Sequence, residues 1–536
     1  MPPVVGAVTT FIASALTAGF TQSVGATLWG FAQRALISVG LGLASSALTP
    51  KPKSPSFNDP GRPLAFQPNP DAPRQVIYGE TAIAGQIIAQ RTSSNNKYAH
   101  FIAALGDGGP YESVEEIRLN NEAVTLDGSG FVTAPSKWAD SKCRIETKLG
   151  TESQAAFTTA VSEISDWTSA HAGKGVALAH LRYEYDPEVW TSGIPSPLFI
   201  MRGRQVYDPR LDSSPGNDPT NASYIAWSQN PALWALDYIR GVQTNGTRVL
   251  GLGVPDALID WQSFADAADV CDETVAVKAG GTIARYTGGG GIVSAADDPI
   301  AVLEAMMSAM AGVLTTRSGL ISIYAGEAQT ATVTLTDDDL AGPIRVTGAR
   351  SIRETANAVS VQYREPSAGY NFAGAPAYRN STWETEDDGE VLWTELRLPF
   401  TDDHRVAQRL AKIHGGNKRE PREISARYKI KAIQIQEGEV FTLDSDSYGS
   451  AANGKYRVVS RKINPDGSVD ITARSETDSK YDWTAASEEQ DPPAGTVAAA
   501  STPTTATPTG WSVTATEVSG PQGAVQTVLN IAAPGS

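Results

Sequence analysis

From Arg74 onward the chain is a succession of short apolar runs between Gly-rich turns. QVIYGE (75–80), GQIIAQR (85–91) and YAHFIAALGDGG (98–109) alternate or cluster β-branched and aromatic residues, which predicts strands. EEIRLNNEAVTLDGSG (115–130) continues the pattern, with Asn120-Asn121 as a tight turn. The more polar stretch 153–173 has room for one helix, and VALAHLRYEYDP is a further strand ended by Pro187. Helical spacing then sets in. Asn230 is placed to cap a helix with Pro231 at its first position and Gly241 just beyond its end. A second helix is predicted from near Ser263, and a third over PIAVLEAMMSAMAG, closed by Gly312, with Met306, Met307 and Met310 as core filler. VLTTRSGLISIYAG reads as a hairpin turning at Ser318-Gly319. DDHRVAQRLAKIHGG reads as a helix capped by Asp402 or Asp403, striped by Val406, Leu410 and Ile413, and ended by Gly415. A long hairpin turns at Pro465-Asp466-Gly467.

These elements predict a multidomain, mainly β chain with α+β inserts: a β-rich domain over 75–200, an α+β domain over 201–350 and a β-rich domain with one helix over 351–485. After Trp483 the sequence turns Ala-, Thr- and Pro-rich. Over 486–536 it predicts a linker followed by two opening strands of a small fibronectin-type β-sandwich, so that the chain is either truncated or pairs its tail with something else.

The first fifty residues differ from all of this. Arg34 is their only charged side chain, and two apolar stretches around Phe11, Phe20, Trp29 and Phe31 each approach the roughly 17 to 25 residues of a bilayer-crossing helix. Ala15 with Gly19 and Ala26 with Gly30 have the small-xxx-small spacing of closely packed helices. A helical segment hidden in an assembly and one that enters a membrane both fit, whereas a cleaved signal lacks its basic start. Residues 51–74 form a spacer: Pro50 to Pro73 holds eight prolines in 24 residues, which excludes helix and central strand.

Net charge is −16, the wrong sign for a general or sequence-specific nucleic-acid grip, although DNA can slide past an acidic wall without sticking. Cys143 and Cys271 have no CxxC partners and suggest neither a disulfide framework nor zinc. Five histidines make no HExxH or HxH, and GxSxG is absent. GGGG at 288–291 lacks the Lys-Ser/Thr of a phosphate loop and reads as a flexible turn. The acidic runs at Asp337–Asp339 and Glu384–Glu390 do not match a calcium loop and read as solvated turns. No catalytic site, metal or cofactor is predicted.

One charged stretch, FIMRGRQVYDPRLDSSPGNDP (199–219), invites three readings. Its arginines could grip phosphate, its aspartates could hold a cation, or a strand carrying Ile200, Val206 and Tyr207 runs into a turn begun by Asp208-Pro209. The last is favoured, with the arginines paired to acidic neighbours within the chain or across a subunit contact.

RGRQVYDPR (202–210) stands in a longer order of signatures: QVIYGETAIAGQII before it, then WSQNPALWALDYIRG, LGVPDALIDWQSFADAADVCD, AVLEAMMSAMAGVLTTRSGLISIYAG, TANAVSVQY and DGSVDITARSETDSKYDW. In this order they resemble the hub region of the long-tailed (siphovirus) bacteriophage tail-tip family, which includes the host-specificity protein at the tail tip of phage lambda. The resemblance implies three copies of the chain closing the end of a tail tube. It also implies contacts with a distal tail protein, a tape-measure protein and other tail-tip or receptor-binding proteins, and opening for DNA after receptor contact. It singles out Tyr78, Gly79, Arg202, Gly203, Arg204, Tyr207, Asp208, Pro209, Arg210, Trp227, Asn230 and Pro231 as structural or interface residues. Phe11, Phe20, Trp29, Phe31 and Arg34 would then plug the lumen or enter the host envelope. The other classes that fit are a membrane-anchored surface-binding protein and a tail-associated cell-wall hydrolase.

Overall fold

The computed structural model describes residues 72–492 except 191, 192, 215, 245, 349–354 and 421, together with the backbone of strands 512–519 and 525–532. The calls on Phe11, Phe20, Trp29, Phe31, Arg34 and the proline spacer up to residue 71 lie outside the described residues. The chain divides into a compact unit ending at Asp491 and a second unit, Pro492–Ser536.

The first unit is mainly β, as predicted, and is organised around strand Gln75–Ile83, which is buried along almost its whole length. This strand pairs antiparallel with Pro197–Arg204 on one side and Gly290–Ser294 on the other, inside a five-stranded sheet completed by Tyr111–Leu119 and Glu122–Ala123. Side chains alternate across a strand. Ile77 therefore points into a core shared with the four-stranded sheet of Gln86–Ser93, Tyr98–Asp107, Val176–Glu184 and Cys143–Leu149, where Leu105, Tyr111, Leu181 and Phe199 also lie. Val76 and Tyr78 point the other way, into a helical layer of Pro231–Arg240, Trp261–Asp272 and Pro299–Ser308. A strand covered on both faces needs apolar residues at successive positions, and QVIYG supplies them.

The predicted helices form; Asn230 and Asp403 cap as expected, the second helix starts at Trp261 without a side-chain cap, and the third, capped by Asp298, ends at Ser308 rather than at Gly312. Asn230 accepts the Ala232 N–H at 3.1 Å, Asp298 accepts Ile300 N–H at 2.9 Å and Asp403 accepts Arg405 N–H at 2.7 Å. Gly415 does not end the last of these. The helix runs from His404 to Arg419 through Gly415 and Gly416, because that face lies tight against the chain: a Cβ on Gly416 would sit 2.7 Å from that of Lys480.

Helix His404–Arg419 packs on a three-stranded sheet in which Ala358–Glu365 pairs antiparallel with Asn371–Arg379 and parallel with Trp393–Leu398. The parallel pair needs a crossover, supplied by the segment containing the short helix Ser381–Glu386. A six-stranded sheet with its own core (Leu335, Ile424, Phe441, Tyr456, Ile471) takes strands from both sides of residue 350: Val333–Thr336 lies parallel to Val440–Asp444, and Arg345–Thr347 pairs with Glu423–Tyr428. The largest apolar cluster likewise joins Val76 and Tyr78 to Trp234, Phe264 and Met306 and to Val361, Phe400 and Leu410. The acidic turns are solvated, with Asp338, Glu386, Asp388 and Glu390 exposed, and they also tie the chain together: Asp337 binds Ser445 Oγ and the Ser447 N–H, and Asp387 holds Arg419 at 2.9 Å. In the second unit, Ser512–Ser519 pairs antiparallel with Val525–Ala532.

Candidate functional site

Of the twelve residues singled out from the sequence, Tyr78, Gly79, Arg202, Gly203, Arg204, Trp227, Asn230 and Pro231 lie on or against strand Gln75–Ile83 and helix Pro231–Arg240, whereas Tyr207 and Arg210 face helix Trp261–Asp272. Tyr78 donates its hydroxyl to Asp237 Oδ2 at 2.7 Å, and Arg204 donates Nη2 to Asp237 Oδ1 at 3.0 Å. Arg204 Nε lies 3.0 Å from Oδ2, close enough for charge attraction without the alignment of a hydrogen bond, and Nη1 reaches the Gly108 carbonyl. The network extends through Asp107, which accepts Thr244 Oγ1 at 2.6 Å and pairs with Arg74 at 3.1 Å, and through Tyr111, whose hydroxyl donates to the Asp107 carbonyl at 2.6 Å. Burial, with the Asp237 charge beside it, holds the Tyr78 phenol well above its ordinary range. For Arg204 burial is the largest influence and works against the cation, but Asp237, Tyr78 and Tyr111 together outweigh it and the guanidinium is held above its usual value.

Gly79 is required by geometry. Its φ is +62°, and a Cβ there would lie 2.6 Å from Gly290 Cα and 2.8 Å from the Trp234 ring. Gly203 crosses the same strand so closely that a Cβ would meet the Ile77 carbonyl at 2.5 Å. The Trp227 indole donates to the Gly79 carbonyl at 3.4 Å and carries the Arg202 guanidinium 4.8 Å above its ring. Arg202 also pairs with Glu80 at 3.2 Å and Glu115 at 3.5 Å. Asn230, besides capping, donates its amide to the Ala268 carbonyl at 2.9 Å and so fastens the first helix to the second.

In the charged stretch after the strand, the arginines are paired with acids of the same unit. Ile200 lies on strand Pro197–Arg204, while Val206 and Tyr207 form a separate short strand with Ile225–Ala226. Asp208 holds Arg210 at 2.7 Å, and Arg210 reaches on to Asp269 at 3.1 Å and Asp272 at 2.8 Å on the second helix. Pro209 is buried, and the Tyr207 hydroxyl donates to Asp212 at 2.6 Å. The arginines are thus paired with acids of the same unit.

The run 288–291 is not a flexible turn. All four glycines are buried, Gly290 and Gly291 belong to a strand, and the run lies against Trp234, Asp402, Glu80 and Phe400 in turn, with no room for a side chain. Asp402 is among the groups that define this junction. Burial, with the charges of Asp403, Glu80 and Glu365 nearby, pushes its carboxyl up to about 7.

Sequence reasoning missed Asp237, Tyr111 and Asp107. A signal existed for Asp237 alone, as the lone acid inside the apolar helix ALWALDYI, where a buried charge demands a partner.

Of the groups weighed for chemistry, both cysteines are free and buried, and burial pushes the Cys143 thiol up to about 12 and raises that of Cys271. Among the described residues, no cluster of three or more His, Cys, Asp or Glu side chains is placed to hold a metal ion, and no helix is long and apolar enough to cross a membrane.

A histidine relay does lie in the four-stranded sheet. Ser93 Oγ is 2.8 Å from His100 Nε2, His100 Nδ1 is 3.0 Å from His180 Nε2, and His180 Nδ1 is 3.1 Å from Glu146. Glu163, itself paired with Arg182, lies 3.7 Å from His100. Burial, helped by the charges of His180 and Arg182, pushes His100 down to about 4 from an ordinary 6.5. A depressed folded value means that the stability His100 contributes is complete above about pH 6.5 and is lost as pH falls through about 4. We expect melting temperatures between pH 7 and pH 4 to fall by the equivalent of about 3 kcal/mol on this account. His100→Gln should flatten that slope, and equal slopes in the two proteins would remove His100 as the cause.

No family model matches the sequence, and no curated protein does. Among solved structures, a chain from the virion of a native gene transfer agent particle superposes with a TM-score of 0.54 at 14% identity, over 83% of this chain and 93% of that one. A tail protein from Neisseria meningitidis MC58 gives 0.29 at 9% identity, covering 76% and 98% of the two chains. The 43 kDa tail protein of prophage MuSo2 from Shewanella oneidensis gives 0.27 at 10%, covering 77% and 99%. The first value shows a shared fold across most of the chain; the other two are too low to support an argument.

Proposed function

We propose that the chain is a structural component of a phage-type tail, acting as the tail-tip hub that closes the distal end of the tube and opens for DNA. The observation that carries this reading is the fold shared with a gene transfer agent virion chain over 93% of that chain's length. The order of sequence signatures from Gln75 to Trp483 supports it independently. In this reading three copies form the ring, a distal tail protein and a tape-measure protein contact it, and further tail-tip or receptor-binding proteins attach outside. The apolar residues 1–50, tethered by the proline spacer, sit in the lumen or pass into the host envelope. A net charge of −16 suits a wall past which DNA must slide.

Immunogold labelling of this chain on particles from a lysate tests the assignment. Gold at the distal tail end is expected. Gold along the tube or on the head would remove the hub role, and gold on membranes beside bare particles would put an anchored surface binder in its place.

A further inference from the structure

One small cavity in the first unit is lined by four cations: Arg285, Arg409, Lys412 and Lys480, with Tyr286 and Trp483 beside them. Such a concentration is unexpected in a chain of net charge −16. Three of the four have acidic partners. Arg285 pairs with Glu273 at 2.6 Å, Lys412 pairs with Glu488, and Lys480 pairs with Glu476 at 3.1 Å and Glu420 at 3.4 Å.

Arg409 does not. It is 4% exposed on helix His404–Arg419, and its Nη2 is spent on the carbonyls of Ala284 and Arg285 at 3.1 and 2.8 Å. Its Nε and Nη1 are buried with no hydrogen-bond partner, and so is the indole Nε1 of Trp483 in the same lining. Buried donors are almost always paired, so three unpaired donor nitrogens on two residues that line one cavity mark a missing acceptor. The nearest acids are committed elsewhere. Asp403 holds Arg405 at 2.5 Å, Glu489 accepts the Lys278 N–H at 3.3 Å, and the cavity's own Asp482 is exposed and gives its backbone carbonyl to Lys412. Burial pushes the Arg409 guanidinium down to about 10, as it does for a cation short of counter-charge.

We propose that this cavity binds a halide-sized inorganic anion, chloride in solution, held by Arg409 and Trp483. Size and charge select the ligand. The space admits about one water-sized particle, too little for phosphate or sulfate without movement of the lining. A water there would bring two O–H donors into a wall already rich in donors, whereas an anion only accepts and supplies the missing charge. The bound ion would clasp segment 285–286, helix His404–Arg419 and segment 480–483 together.

The test uses the full chain and bromide as the probe. Melting temperature is measured in sodium chloride or bromide against sodium gluconate at matched ionic strength, and crystals grown in bromide are examined for anomalous scattering. The expected result is a saturable rise in halide, together with an anomalous peak within hydrogen-bonding distance of Arg409 Nη1 and Trp483 Nε1. Trp483→Phe, which keeps the ring and removes the N–H, should weaken halide affinity at least about tenfold. Arg409→Gln should abolish the effect. If that variant does not fold, the wild type and Trp483→Phe decide the matter. Identical melting in both salts, or a bromide peak without a saturable rise (binding at crystal concentration only), would overturn the assignment.

Discussion

Asp237→Ala is expected to destabilise the first unit by about 3 to 5 kcal/mol. Asp237 is the shared acceptor for Tyr78 at 2.7 Å and Arg204 at 3.0 Å, and the side chains of the ion pair are only 15% and 7% exposed. Removing the carboxylate leaves a guanidinium in the interior with little beyond the Gly108 carbonyl, and a tyrosine hydroxyl with no acceptor. The penalty is that of stranding a charge, and it exceeds what the pair itself contributes. Tyr78→Phe, which deletes one neutral donor, should cost about 1 kcal/mol. Urea unfolding reads both as shifts in midpoint at constant slope. The double variant Arg204→Met with Asp237→Ala should recover much of the loss, because no unpaired charge then remains. If the double variant is as unstable as the two single losses added together, the network stabilises by something other than charge compensation.

Why this network escaped sequence reading, while the elements that hold it did not, follows from what each depends on. The helix Pro231–Arg240 is specified locally: Asn230 caps it, Pro231 pre-sets its first turn, and Gly241 takes the φ of +94° that follows it. The hairpins at Ser318-Gly319 and Asp466-Gly467 are equally local. Partners of Asp237 lie 159 and 33 residues away, and no periodicity reports such a distance. The same limit explains the six-stranded sheet that draws strands from either side of residue 350, and the parallel pairing of Ala358–Glu365 with Trp393–Leu398. Register between distant strands is decided by which faces can be buried together. The charged stretch Arg202–Arg210 shows the converse. Its arginines were expected to meet acids of the same chain or across a subunit contact, but only the fold shows that Glu80, Glu115, Asp237, Asp269 and Asp272 are those acids.

The run of four glycines was the most misleading local signal, and it leads to the second large effect. Glycine-rich sequence has high backbone entropy in the unfolded chain, so reading it as a mobile turn is natural. Here that entropy is given up because close packing demands it. Gly290 pairs with Gly79 in the register of the central strand, its φ is +104°, and a Cβ would overlap the backbone nitrogen and oxygen of Glu80. Backbone cannot rotate aside as a side chain could. Gly290→Ala is therefore expected to cost about 3 to 5 kcal/mol, combining backbone strain with overpacking, or to prevent folding outright. Gly319→Ala is the matching control. Its φ of +86° carries a similar strain at a hairpin tip, but nothing lies within 4 Å of the added Cβ. It should lose only about 1 kcal/mol. The difference between the two midpoints measures how closely strand Gly290–Ser294 approaches the central strand. Equal losses would mean that strands Gln75–Ile83 and Gly290–Ser294 lie further apart at Gly290 than this packing requires.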